Sequence, residues 1–234
     1  MLLLCFETSA KAASVALFDG NTLLGEAYQN TGLTHSQTLM VMAENLLNSC
    51  GVSPQAIEAV AVAAGPGSFT GVRIGVSAAK GFAWGKELPC YGVSTLEAMA
   101  LSRSVYDGYV LPVMDARRNQ VYTALFRSDA GLLTRLTPDR AISLEELSQE
   151  IKILEKPVFL VGDGSILCYN SLQEAVPSLV LPPEHQMHQR ATGVGLAALV
   201  QISAGIPGDG ATLTPNYLRL SQAERERREK EKDI

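Results

Sequence analysis

A chain of 234 residues, 47% hydrophobic, with 20 glycines and 11 prolines, is large enough to bury a substantial core, which excludes a disordered chain. Its net charge of −5, from 19 basic and 24 acidic residues, supplies no field for holding a polyanion unaided. Four scattered cysteines lack a CxxC pair and read as buried thiols; no run approaches a membrane span, and MLLLCFETSA turns polar too soon for a secretion leader, so the cytoplasm is expected.

In chain order, Leu2 to Glu7 and Ala13 to Phe18 are short apolar runs, and Asp19-Gly20-Asn21 is a hairpin signal before Thr22 to Tyr28. Together they predict a three-stranded antiparallel unit. Ser36 to Cys50 then changes to helical spacing, ended by Gly51, and Ser53-Pro54 opens a short turn. Ile57 to Ala64 is nearly continuous apolar sequence and predicts a buried strand. A helix over Thr70 to Trp84, a strand over Pro89 to Val93 and a helix over Thr95 to Arg103 follow.

After Asp107-Gly108 the pattern begins again, with a strand over Tyr109 to Met114, a turn over Asp115 to Asn119 and a returning strand over Gln120 to Phe126. FETSAKAASVALF and MDARRNQVYTALF, 108 residues apart, share an acidic second residue and a final ALF. Val158 to Val161 with GDGS echoes AVAVAAGPGS. These echoes predict two lobes on one plan. Helices are expected in the second lobe over Ser143 to Leu154, Ser165 to Ala175 and Thr192 to Ser203. In the tail, Glu224 to Asp233 holds five bases and five acids, the composition of a solvated helix or frayed end.

The segment GPGSFTGVRIG, Gly65 to Gly75, has two readings. A strand-loop-helix junction is the right place for anion capture, yet the GK[ST] of a phosphate loop and the third glycine of a dinucleotide fingerprint are both missing. The alternative is packing. Gly71 and Gly75 share one helical face with Ala78-Ala79 and Ala83, a smooth surface that lets another element approach closely. Phe69 either plugs the core or stands at an interface. On the preceding helix Leu39, Met40, Met42, Ala43, Leu46, Leu47 and Cys50 span about 160°, wider than the roughly 100° a sheet-facing stripe needs. The excess is either a broad core face or a partner surface.

Catalytic chemistry is sparse. The three histidines, His35, His185 and His188, have no convergent third ligand, and Ser68 has neither a nucleophile elbow nor a sequence-adjacent base. Glu7 and Asp115 end the first strands of the two lobes. They are either bland cleft carboxylates or a pair for acid–base work or magnesium, while Asp139 and Asp163 add nothing specific. Unaided, the residues describe a two-lobed α/β protein without a convincing active site.

FETS at Phe6 to Ser9, HSQTLM at His35 to Met40, GPGSFTGVRIG and TPNYLR at Thr214 to Arg219 together resemble the bacterial TsaB (YeaZ) family of tRNA threonylcarbamoyladenosine biosynthesis. The resemblance covers nearly the whole chain. It implies an α/β, duplicated two-lobe actin-like (ASKHA, ribonuclease H-like) fold, with residues 1–106 as the lobe carrying the partner interface, 107–220 as the second lobe and 221–234 as a charged tail. It further implies a non-catalytic subunit that binds and activates a TsaD-like transferase in a complex with a TsaE-like ATPase, reaching tRNA only through that complex. Family homodimers form through the same first-lobe helices. The paired H-x-x-x-H metal ligands of TsaD are absent, as is a glycine-rich phosphate hairpin, so no catalytic, cofactor or metal residue is expected. Carried onto this chain, the partner surface comprises His35, Leu39, Met40, Met42, Ala43, Leu46, Leu47, Phe69, Thr70, Val72, Arg73, Val76, Ala79 and Lys80. A stand-alone ATP-dependent or peptidase-type enzyme of the same fold is the competing expectation.

Overall fold

The computed structural model describes residues 1–103 and 107–219; the tail expected over 221–234 lies outside the described residues. The first half holds β1 (Leu2–Glu7), β2 (Ala13–Asp19), β3 (Thr22–Gln29), α1 (His35–Ser49), β4 (Ala59–Gly65), α2 (Phe69–Trp84), β5 (Cys90–Ser94) and α3 (Thr95–Leu101). The second holds β6 (Gly108–Asp115), β7 (Gln120–Thr123), β8 (Phe126–Asp129), β9 (Leu132–Arg135), β10 (Arg140–Ser143), α4 (Leu144–Ile151), β11 (Val158–Val161), α5 (Ser165–Leu172), β12 (Leu179–Val180) and α6 (Ala191–Ser203).

The first sheet runs β3-β2-β1-β4-β5, with an antiparallel hairpin unit on one side of β1 and parallel strands on the other. The second runs β10-β7-β6-β11-β12, the same plan. The period of two along each strand builds a separate core on each face. In β1 and β4, Leu4, Phe6, Val60 and Val62 meet Leu39, Ala43 and Leu47 of α1 and Val72, Val76 and Ala79 of α2. Their neighbours Leu3, Cys5, Ala59 and Ala61 face the other way, onto Ala98 of α3 and Val194, Ala197 and Ala198 of α6. On the second sheet Leu111, Val113, Val158 and Leu160 pack on α4 and α5, and Val110, Met114 and Phe126 pack on Leu96 and Met99 of α3. Helix α3 therefore belongs to both lobes. At about 1.5–3 kcal/mol for each large side chain fully removed from water, the continuity of these four clusters holds the lobes together.

Two sequence expectations change. Helix α6, expected with the second lobe from its place in the chain, packs on the first sheet, where Gly195 lets the ring of Phe18 approach: a Cβ there would lie 2.2 Å from it. The returning strand over 120–126 is interrupted. β7 pairs with Val113–Asp115 and β8 with Gly108–Val110, so the ladder is broken opposite Pro112, which has no N–H to donate. Leu125 turns its backbone away, accepting from Leu136 N and Thr137 N and donating to Thr137 Oγ1 at 2.8 Å.

Candidate partner interface

Helix α2 starts where Ser68 caps it, its Oγ accepting from Gly71 N at 3.3 Å. The glycines of GPGSFTGVRIG serve close packing inside the chain. A Cβ on Gly67 would stand 2.4 Å from Ser9 O, on Gly71 2.1 Å from Thr8 O and on Gly75 2.4 Å from Thr8 Oγ1. The loop after β1 thus lies against the first two turns of α2, fastened by Ser68 N–H donating to Ser9 O at 2.6 Å and Thr8 Oγ1 donating to Gly71 O at 2.8 Å.

That packing corrects part of the expected partner surface. Leu39, Ala43, Leu46, Leu47, Val72, Val76 and Ala79 are buried in the first-lobe core, because the apolar stripes of α1 and α2 face their own sheet. The smooth face of Gly71, Gly75, Ala79 and Ala83 also points inward. His35, Met42, Phe69 and Lys80 are half-buried, while Met40, Thr70 and Arg73 are exposed. His35 donates from Nε2 to Ala10 O at 2.8 Å, tying the start of α1 to the β1–β2 loop.

Spacing alone missed other outward residues of the two helices: Val41 at 53% exposure and Trp84 at 80%, together with Ser77 and Gly81. Along α2 the exposed positions are Thr70, Arg73, Ser77, Gly81 and Trp84, and none of the helix's residues is acidic. A Cβ on Gly81 would meet nothing within 4 Å, so the chain itself has no steric use for that glycine. A glycine inside an exposed helix costs about 1 kcal/mol relative to alanine.

The flank of α2 is covered by a C-terminal strap, residues 207–219, which chain-order reading left without a role. Asn216 N–H donates to Ala64 O at 2.6 Å, and Lys80 Nζ donates to Leu213 O at 3.0 Å. The backbone of Asn216 lies so close to Gly65, at φ +117°, that a Cβ there would be 2.4 Å from its carbonyl oxygen. Tyr217 stacks on Phe69 with centroids 4.7 Å apart, and Arg73 Nε donates to the Tyr217 hydroxyl at 2.7 Å. Arg219 reaches Ala116 O at 2.5 Å, at the β6–β7 turn, where Arg117, Arg118 and Asn119 all have positive φ. The TPNYLR motif is thus a belt from the first lobe to the second.

Strap, β1–β2 loop and β6–β7 turn enclose an interlobe cleft of about 900 Å³. Beside it Glu7 is 1% exposed; Oε1 accepts from Ser9 N–H at 2.6 Å. Burial pushes its carboxyl up to about 7, and the charge of Asp163 adds to the rise. Asp163, which lines the cleft with its side chain open to it, is itself raised, first by desolvation and then by the charge of Asp115. Of the two readings of Glu7 and Asp115, the pair gains no support. Asp115 is exposed and accepts from Arg117 N–H at 2.7 Å; the carboxylate that faces Glu7 electrostatically is Asp163. Among the described residues no three His, Cys, Asp or Glu side chains converge as a metal site, and no helix is long and apolar enough to cross a membrane.

The model of the TsaD family, tRNA N6-adenosine threonylcarbamoyltransferase, matches residues 29–227. The tRNA threonylcarbamoyladenosine biosynthesis protein TsaB of Bacillus subtilis is 33% identical over 225 residues, 96% of each chain. YeaZ from Pseudomonas aeruginosa superposes with a TM-score of 0.75 at 25% identity, over 93% of this chain and 99% of that one. A ROK hexokinase from Thermus thermophilus, 14% identical with a TM-score of 0.50 over 88% of this chain and all of its own, shares the fold alone. The architecture is an α/β two-lobe fold related to the actin-like superfamily. With the match extending over almost its full length, and with the motifs that carry it placed at the α1–α2 face and the strap, the chain belongs to the TsaB (YeaZ) family, a non-catalytic relative of TsaD.

Proposed function

We propose that the chain acts as the non-catalytic subunit in formation of N6-threonylcarbamoyladenosine in tRNA, binding and activating a TsaD-like transferase through the outer face of α1 and α2. A TsaE-like ATPase joins that assembly, and tRNA meets this chain only within it. In this reading residues 1–106 and 107–220 carry two duplicated actin-like sheets of the ribonuclease H-like type, with α6 and the strap of the second segment folded back on the first; the shared strand order of the two sheets supports it.

The observation that carries the proposal is the outward strip of α2. Thr70, Ser77 and the sterically unexplained Gly81 form a low, acid-free track interrupted only by Arg73 and ending at exposed Trp84, and α1 exposes Met40 and Val41. A track of this kind admits a second helix at short distance and leaves no acidic side chain to be stripped of water. The same face serves a second copy of the chain when the transferase is missing.

Mixing the purified chain with a TsaD-like transferase is expected to yield a 1:1 species by light scattering and to switch on adenosine modification. Gly81→Trp should abolish both while the chain stays folded. Absence of a complex at micromolar concentrations contradicts the proposal. ATP with magnesium should show no binding to the isolated chain tighter than about 10 μM, equivalent to about 7 kcal/mol; tighter binding would favour a stand-alone enzyme.

A further inference from the structure

The basic side chains of the structure are not equivalent. Lys80 is committed to the carbonyls of Ala211 and Leu213, and Arg219 to that of Ala116. Arg135, Arg140 and Arg190 each pair with a carboxylate. Arg73 is different: among the described residues it has no carboxylate partner, although it is held in place on two sides. Its guanidinium carbon lies 3.8 Å from the Phe69 ring centroid and 5.6 Å from that of Tyr217, and Nε is occupied by the Tyr217 hydroxyl at 2.7 Å. Stacking and the Nε bond remove the rotamer freedom of a long side chain but leave the two terminal amino groups, the fork that grips a carboxylate, without an acceptor among the described residues. The first turn of α2 contains no acid, so the helix itself offers no carboxylate to offset this charge.

We infer that Arg73, pre-oriented by Phe69 and by Tyr217 of the strap, is a receptor for a carboxylate on the contact surface of the transferase-like partner. This rests on the interface proposed above and adds the chemistry of one contact and the part the strap takes in it. Arg73 sits between Thr70 and Ser77 on the outward face of α2, so a partner helix on that track passes the free fork. A side-chain carboxylate suits the position better than an RNA phosphate. The chain carries a net charge of −5, and Asp115 and Asp163 lie at the neighbouring cleft, so a long polyanion is opposed where a single carboxylate is not. A rigid arginine backed by aromatic rings is also the side-chain class that carries disproportionate affinity in protein interfaces.

The test is calorimetric titration of the full chain with a purified TsaD-like transferase at low and high salt, with thermal melts to confirm folding. Arg73→Ala should weaken association by about tenfold or more at low salt and flatten its salt dependence. Arg73→Lys should recover little, because an ammonium neither stacks nor forks, and Tyr217→Phe, which keeps the ring and loses the hydroxyl, should cost only a few-fold. If Arg73→Ala and Arg73→Lys bind within about twofold of the unmodified chain while Gly81→Trp abolishes binding, the interface stands and the carboxylate receptor falls. If Arg73→Ala leaves transferase binding intact but lowers retention of tRNA by the assembled complex, the fork serves a phosphate and the inference is overturned. No complex with the unmodified chain overturns interface and inference together.

Discussion

Helices α2 and α4 each lie on the outer face of their own sheet, at different places in the shared plan (α2 joins β4 to β5, α4 joins β10 to β11), and their outward surfaces differ. α4 shows Glu145, Glu146, Gln149 and Glu150 to solvent and begins with a capping box in which Ser143 and Glu146 satisfy each other's backbone. That is a surface built for water. α2 shows Thr70, Ser77 and Gly81 with one stacked arginine and a tryptophan at its end. An outer helix whose outward strip is smooth and acid-free supports the polypeptide contact proposed for α2. Helix α5, the counterpart of α2 by strand order, exposes Ile166 and Leu167 in its first turn, so the contrast is between α2 and α4 alone.

The difference can be tested from the inside outward. The largest effect is expected at Val72, 1% exposed: Val72→Asp buries an unpaired charge and should destabilise the chain by about 4 kcal/mol or more, seen as a collapsed melting transition rather than a selective loss of association. An aspartate there tests the core and says nothing of the partner.

Next is Glu7. Its folded value of about 7 exceeds the ordinary 4.5, so the native state holds a proton that the unfolded chain releases. The associated stability is complete below about pH 4.5, is lost as pH rises towards 7, and stays lost above it. Glu7→Gln keeps an oxygen acceptor for Ser9 N–H without the charge, and should exceed the unmodified chain by about 3 kcal/mol at pH 8 while matching it near pH 4. Parallel pH profiles of the melting temperature for the two proteins would refute this.

Smaller and opposite effects should separate two glycines of α2. Gly71→Ala forces a methyl group against Thr8 O and should cost about 1–3 kcal/mol. Gly81→Ala enters open space and should stabilise by up to about 1 kcal/mol, raising the melting temperature by about 2–4 °C. Equal effects at both positions would erase the distinction between an inward and an outward glycine.

Much of the architecture was legible from local signals: the Asp19-Gly20-Asn21 turn, the continuous run into β4, and Gly51 at φ +65° after α1. The repeat showed through FETS and MDAR because strand and turn chemistry survive duplication. The outward face of the interface was not legible. An apolar stripe at helical spacing looks the same whether its cover is the protein's own sheet or another chain, which is why Val72 and Val76 read as surface when they are core. Gly81 was the available sign, as a helix-interior glycine off the Gly71–Gly75 stripe. The strap was hidden for a different reason. Tyr217 reaches Arg73 across 144 residues, and no periodicity encodes a contact that distant. The electrostatic neighbour of Glu7 escaped for the same reason, since Asp163 and Asp115 sit in similar strand-end contexts and only the folded chain distinguishes them.

The most direct measurement compares an outward tryptophan on α2 with one on α4, each titrated against a purified TsaD-like transferase by light scattering and calorimetry. Gly81→Trp on α2 should abolish the 1:1 complex at micromolar concentration, while Gln149→Trp on α4 leaves its affinity unchanged and both variants melt like the unmodified chain. Binding by the Gly81→Trp protein with undiminished affinity would contradict the account.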